Sequence, residues 1–433
     1  MSSAQDMKSK LRQAARQTRS TGQWRGTSRT RSGRAGAHGS DVPRAPTAGA
    51  RKLQQALGGR IVVTDSGDYL RIRGTHGPEY SHGAATVSRA LETEYCLSHF
   101  VRGERPKALR KSKLLFNDTE TTGLSGAGAL AFLVGVGNFT RGGFVTRQYL
   151  IPDFADEAAL LQALLREFND DTILVTYNGK AFDLPLTLDR MIVNRVARDL
   201  PHEHHLDLLY PVRSIFKRRI QNCSLGSVEA AVFGHHRESD IPGYLVPSVY
   251  FDWIHEDRTG DLSGVLEHNR QDVVSLALLL ARLSEIHLSD GRALEEPLDV
   301  YSLMRRLEFG GERRRASDIG RSRASELDTL ADPELDFRRS LMFKRDGDHR
   351  AALALWQRLE GGANSVAQLA RLELAKWHEH KSKNLELALS LTRKGLLHGT
   401  GRERGPERDA ELVRWRNRLA RLERRLTRHS ASR

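Results

Sequence analysis

Residues 114–124 read Leu114-Leu115-Phe116-Asn117-Asp118-Thr119-Glu120-Thr121-Thr122-Gly123-Leu124. A short apolar run reads as a buried strand, and it leads into a polar stretch that ends in glycine. Residues two apart along a strand project to one face, so Asp118 and Glu120 can stand side by side. Two neighbouring carboxylates repel each other unless a cation lies between them, and hard divalent cations prefer oxygen donors of this kind. Asp-x-Glu alone is common. The longer run before Gly-Leu is what makes the segment specific.

Working outward, 129–139 and 143–150 read as two strands joined at Thr140-Arg141-Gly142, a hairpin. A helix is expected over 155–169, a strand over 172–177, a helix over 184–198 and a short strand over 206–209. The chain is then mostly helical, at 224–233, 246–254 and 262–286. Upstream, 60–64 and 69–73 read as strands around Asp65-Ser66-Gly67-Asp68, followed by a helix over 85–101 and a basic connector over 102–113. Strands that first pair as a hairpin and then alternate with helices give an α/β class, a mixed sheet flanked by helices.

Two more segments carry chemistry. In Thr176-Tyr177-Asn178-Gly179-Lys180-Ala181-Phe182-Asp183-Leu184-Pro185 a strand ends in a loop and Asp183 opens a helix. A helix cap would account for Asp183 taken alone; beside the first segment, a site residue is the better reading. In His268-Asn269-Arg270-Gln271-Asp272-Val273-Val274-Ser275-Leu276, His268 and Asp272 are four apart and share a helix face. Val273, Leu276 and Leu280 supply a neighbouring apolar face. His202, His204 and His205 read as a solvated loop, and Asp207 as a supporting or capping residue.

The chain has 433 residues, 39% hydrophobic and 28% charged, so two or three domains are expected. No apolar run reaches the roughly 18–20 residues that cross a bilayer. The two cysteines, Cys96 and Cys223, lack CxxC spacing, which argues against a disulfide framework and a structural zinc. A cytoplasmic protein without membrane contact is expected. Residues 1–52 carry +10 and residues 400–433 carry +6 of the net +14, leaving −2 for 53–399. Basic ends around a neutral middle suit a polyanionic partner. The composition of 1–52 predicts a disordered basic tail.

An N-terminal β/α extension is expected over 53–112, the main domain over 113–286 and a polar, Arg-rich linker over 287–331. Over 332–428, Leu341, Asp348, Ala352 and Leu353 recur as Trp377, Asn384, Ala388 and Leu389 at an offset of 36. Such a period resembles tetratricopeptide-type helical hairpins, which could serve a protein partner.

The three segments resemble the exonuclease motifs of the DEDD, or DnaQ-like, superfamily, and more closely its YprB-type ribonuclease H-like family. The similarity extends to Gly58-Gly59-Arg60 through His82-Gly83, His205-Leu206-Asp207-Leu208-Leu209, Asn222-Cys223-Ser224-Leu225-Gly226 and Asp240-Ile241-Pro242-Gly243-Tyr244, covering roughly 55–285. The resemblance implies a ribonuclease H-like fold and two divalent cations, Mg²⁺ or Mn²⁺. Asp118, Glu120 and Asp272 would hold one ion, and Asp118 with Asp183 the other. His268 would be the general base, and Thr121, Leu124 and Asn178 fall where the substrate is positioned. The expected activity is 3′–5′ exonucleolytic hydrolysis of DNA or RNA. The alternatives are a structure-selective endonuclease on the same fold, or a non-catalytic nucleic-acid or protein-binding scaffold.

The chain departs from the family pattern twice. Related enzymes place a His five residues before the last Asp, or a Tyr four before it. Here His268 stands at four and Glu267 at five, so Glu267 remains an alternative base. Asn117 stands where an apolar residue is usual, its side chain expected to point away from Asp118.

Overall fold

The computed structural model describes residues 44–96, 108–123, 129–238, 240–400 and 406–431. Most of the basic N-terminal segment, and Leu124, lie outside the described residues. Helix α1 (Ala48–Leu57) precedes the strands β1 (Arg60–Thr64) and β2 (Gly67–His76). Two small ladders follow: β3 (Ser81–His82) pairs β4 (Ala85–Thr86), and β5 (Tyr95–Cys96) pairs β6 (Ala108–Leu109) around α2 (Val87–Glu92). Then come β7 (Leu114–Thr121), β8 (Ala131–Thr140), β9 (Gly143–Leu150), α3 (Glu157–Leu165), β10 (Ile173–Thr176), α4 (Asp183–Val193), β11 (His204–Asp207), α5 (Leu209–Phe216), α6 (Leu225–Phe233), α7 (Val246–Glu256) and α8 (Leu262–Leu288).

Among the described residues the main sheet has the order β1-β2-β9-β8-β7-β10-β11. The pairs β1·β2, β2·β9, β9·β8 and β8·β7 are antiparallel; β7·β10 and β10·β11 are parallel. This is the mixed sheet flanked by helices that the sequence leads one to expect. Its pleat sorts the core into two layers. Phe116, Val175 and Leu206 face α5, α6 and the second half of α8, whereas Leu115, Leu174 and Val134 face α3, α7 and the first turns of α8.

Strand β7 runs to Thr121. The first acidic motif therefore lies within the strand rather than in a loop beyond it, because Asp118 through Thr121 pair with Gly135 through Ala131 on β8. The expected helix over 85–101 is confined to α2. Thr93, extended at φ −63° and ψ 136°, ends it, and residues 97–107 lie outside the described set.

Residues 287–331 are not a linker. They hold α9 (Pro297–Phe309), α10 (Arg313–Ser322) and α11 (Ala324–Asp328). Val300, Tyr301, Leu303 and Met304 are fully buried in the same core as Phe116. Some of the arginines that gave the segment its polar character are bonded to carbonyls at the end of α8 and in the turn after it: Arg315 donates to the carbonyl of His287 (2.6 Å) and Arg323 to those of Gly291 (2.9 Å) and Leu294 (2.8 Å). Order likewise begins before residue 53, since Thr47 caps α1 through its hydroxyl.

The remaining helices, α12 (Pro333–Asp346), α13 (His349–Leu359), α14 (Ser365–His380), α15 (Leu385–Thr400) and α16 (Pro406–Ala431), form hairpins. The repeat read in the sequence has a structural counterpart. Asp348 and Asn384 each accept a backbone N–H at the start of the second helix of a pair, from Ala351 (3.1 Å) and Leu387 (3.0 Å). Ala352 and Ala388, one turn later, are both fully buried. No helix among the described residues is long and apolar enough to cross a membrane.

Helix α8 crosses the sheet over Gly135. A Cβ there would lie 2.2 Å from Asn269 Oδ1, so the approach demands glycine. Gly135→Ala is therefore expected to force α8 outward and to lower stability by about 1–3 kcal/mol, read as a shifted urea midpoint. An unchanged midpoint would contradict the tight approach.

Candidate active site

Asp118 and Glu120 project from one face of β7. Asp183 is the first residue of α4, after the β10 loop, and Asp272 and His268 lie one turn apart on α8. The structure brings all five together. Burial, and then the charges of Asp272, Glu120 and Asp183, hold Asp118 well above the usual carboxylate range. Burial, opposed by His268 and reinforced by Asp272, Asp183 and Asp240, raises Glu120 to about 7. Burial, then Asp207 and Asp272, raises Asp183 to about 7 as well. Asp272, Glu120 and Asp183 each raise a neighbour's proton affinity, so the four acids share one field.

Among the described residues, no three or more His, Cys, Asp or Glu side chains are grouped so as to hold a metal ion. Protein donors take part of the negative charge instead. Asn269 Nδ2 donates to Asp118 Oδ2 (2.8 Å) while its own Oδ1 accepts from Gln148 Nε2 (2.9 Å). Arg237 Nη2 donates to Asp272 Oδ1 (2.5 Å), and the same guanidinium grips Glu229 through Nε (2.7 Å) and Nη2 (2.6 Å). Burial raises Asp272, opposed by Arg237 and His268. Each of Asp118 and Asp272 thus has one oxygen held by the protein.

His268 Nδ1 donates to Asp240 Oδ1 (2.7 Å), which leaves Nε2 3.8 Å from Asp272 Oδ2. Burial would lower its pKa, but Asp272, Glu120 and Asp240 raise it above the ordinary value. Glu267 faces elsewhere. It bonds Arg270 Nε (2.8 Å) and Gln271 Nε2 (2.7 Å) and is half-exposed. A helix turns about 100° per residue, which is why His268 faces the carboxylates and Glu267 does not.

A cleft of about 890 Å³ opens beside these groups, lined by Thr119, Glu120, Thr121, Asn178, Phe182 and Asp183 among others. Thr121 and Asn178 border it; Leu124 lies outside the described residues. Asn178 adopts φ 65°, a left-handed conformation that Asn tolerates. Its N–H donates to Asp207 Oδ1 (2.8 Å), and Lys180 N–H donates to Asp207 Oδ2 (3.1 Å). Asp207 thus supports the loop that carries Asp183. Asn117, 6% exposed, donates to the carbonyl of Gly135 (3.1 Å), which satisfies a polar group on the packed face of β7. The histidine trio does not form a site: His204 is on β11, and His205 bonds Thr176 Oγ1 (2.9 Å) with its pKa lowered by burial to about 4.

Sequence reasoning gave no role to Arg237, Glu229, Asp240 or Asn269. Asp240 opens a segment that was singled out, and Asn269 sits three after Leu266 and four before Val273, within the buried stripe of α8. Glu229 and Arg237 lie on either side of a helix end, and no periodicity marks them.

The donor set is all oxygen and net acidic, which suits a hard divalent cation. A model of the RNase_H superfamily matches residues 115–284. The chain is 35% identical over 340 residues to the uncharacterized protein YprB of Bacillus subtilis (strain 168), covering 76% of this chain and 81% of that relative. Among solved structures, a family B DNA polymerase from the hyperthermophilic archaeon Pyrobaculum calidifontis aligns at 20% identity with a TM-score of 0.31. That alignment covers 48% of this chain and 30% of the polymerase, too slight a likeness to bear on activity.

Glu120 yields a pH signature. Without metal, its folded proton leaves near pH 7 rather than 4.5, so the stability it contributes at low pH is lost as pH rises through that window. Glu120→Gln is expected to gain stability relative to the parent between pH 4.5 and 7 and to level off above. Urea unfolding in EDTA from pH 5 to 8 reads the difference; a difference that does not vary with pH contradicts the shared field.

Proposed function

Because this chain belongs to the YprB-type ribonuclease H-like family, with its superfamily domain over residues 115–284, we propose that it is a nuclease that hydrolyses phosphodiester bonds, acting 3′–5′ with two divalent cations. The observation that carries this reading is the convergence of Asp118, Glu120, Asp183 and Asp272 beside a histidine held by Asp240. A structural site would not crowd four acids at the cost of raising their pKa values.

Asp118, Glu120 and Asp272 would hold one Mg²⁺ or Mn²⁺, and Asp118 with Asp183 the other. Two such ions would supply stabilisation of the attacking and leaving oxygens of an in-line displacement. The protein's own residues do the rest. Asn269 and Arg237 fix the orientation of Asp118 and Asp272, so that each offers one oxygen to the cleft. Asp240 takes the Nδ1 proton of His268 as a hydrogen bond and leaves Nε2 able to accept one. Glu120 and Asp272 are chief causes of the raised pKa of His268. With these carboxylates engaged as ligands, the imidazole would be placed to accept a proton from the attacking water near neutral pH. Thr121 and Asn178 line the cleft where the terminal nucleotide would lie, and the hairpins after residue 332, read as tetratricopeptide-like, would serve a protein partner.

Asp118→Asn is expected to abolish cleavage in Mg²⁺ while the fold persists, because it removes an oxygen charge shared by both ions. His268→Ala should cut turnover by roughly 10²–10⁴ with little change in metal affinity, whereas Glu267→Ala should stay near the parent. End-labelled and circular single strands, in DNA and RNA, provide the assay. Release of labelled 3′-terminal nucleotides supports the reading; nicking of circles would show an endonuclease, and full activity in Asp118→Asn would falsify the two-ion scheme.

A further inference from the structure

Asp207 joins two elements that sequence treats separately. Its buried carboxylate accepts from the N–H groups of Asn178 (2.8 Å) and Lys180 (3.1 Å) in the β10 loop, and from Leu209 (3.1 Å) at the start of α5. The first turn of α5 is therefore fixed beside the loop that borders the carboxylate cleft. Val212, Ile215 and Phe216 bury the inner face of α5. Its outer face presents Tyr210, which is 57% exposed, then Arg213 and Lys217. Spacings of three and four place these on one line about 10 Å long.

The line continues into the loop. Tyr177 OH donates to the carbonyl of Cys223 (2.6 Å), and Arg213 acts on the ionisation of both Tyr177 and Cys223, with Lys217 also acting on Cys223. Lys180 is exposed and acts on His205. At the cleft end stands Phe182, 51% exposed.

Several cations of the same fold are tied up in ion pairs. Beyond the site, Arg147 is bound to Glu167, Arg190 to Glu157 and Arg219 to Asp299. Among the described residues Lys180, Arg213 and Lys217 have no carboxylate partner, although exposed acids elsewhere readily supply one. Unpaired cations alternating with an exposed aromatic ring are what a single-stranded nucleic acid requires: charge for successive phosphates and a flat face for an unstacked base. A duplex keeps its bases stacked on each other, so Tyr210 would gain nothing from one.

We propose that Lys180, Tyr210, Arg213 and Lys217 form a track that leads a single strand of nucleic acid to the carboxylate cleft. The cations neutralise phosphates and Tyr210 stacks on a base. This rests on the nuclease reading for its destination but is tested by binding alone.

The test uses the full chain, a fluorescein-labelled single-stranded oligonucleotide and Ca²⁺, with anisotropy followed across a salt series. Changing Lys180, Arg213 and Lys217 together to Gln should weaken binding at least about 10-fold at low salt. Each phosphate contact on a single strand contributes about 0.7 to the log–log salt slope, so the slope should fall by about 2. Arg213→Lys should restore its share, and Tyr210→Ala should lower single-strand affinity while leaving the salt slope and duplex affinity in place. A thermal midpoint equal to the parent's certifies the fold. An unchanged slope in the triple variant, or a parent that does not bind the oligonucleotide, overturns the track. The parent's hydrolysis of the p-nitrophenyl ester of thymidine 5′-phosphate in Mn²⁺ is measured separately. Failure there overturns the catalytic reading, while the slope still decides the track.

Discussion

Like charge held in a half-buried cleft is the constraint around which this molecule is arranged. Asp118 and Glu120 come from a strand, Asp183 from the start of a helix and Asp272 from a long helix, and Glu120, Asp183 and Asp272 each raise the proton affinity of at least one other. Such a group is unfavourable unless the scaffold holds it and supplies positive charge or hydrogen-bond donors. Glycine at 135 lets α8 lie close enough to β8 for Asn269 to bond Asp118. The Arg237–Glu229 pair, deeply buried, brings a guanidinium to Asp272. These contacts offset part of the repulsion, each on one oxygen of its carboxylate.

The same contacts prepare the chemistry. A donor that holds one oxygen fixes where the other points, so the scaffold that makes the crowded acids tolerable would also aim them at the proposed cations. Asp240 acts on His268 in the same way, orienting a ring whose free nitrogen then faces Asp272. Asp207 extends the pattern outward by tying the Asp183 loop to α5. Fixed orientation, as at Asp118 and Asp272, is what the proposed two-ion site would need, because cations bound at small separation tolerate little misplacement of their oxygens.

The parts legible in the sequence are those with short-range patterns. A short apolar run marked β7, a strand-end loop marked Asp183, and i, i+4 spacing put His268 with Asp272. The 36-residue offset located helix caps at Asp348 and Asn384. What escaped depends on contacts distant along the chain. Asn269 reads as one more polar residue on α8 until Gly135 is placed beneath it, 134 positions earlier. Arg237 reads as surface charge until Glu229 and Asp272 surround it. Residues 287–331 misled for the same reason: their arginines cap carbonyls of a neighbouring turn, and composition alone reads that as solvated linker.

The central claim is that the four carboxylates exist to hold two cations. Anomalous diffraction from crystals grown with Mn²⁺ measures this directly. The account predicts two peaks about 4 Å apart, one within coordination distance of Asp118, Glu120 and Asp272, the other of Asp118 and Asp183. An absence of Mn²⁺ between these carboxylates at saturating concentration, with Arg237 still on Asp272 and the ion bound elsewhere, would contradict it.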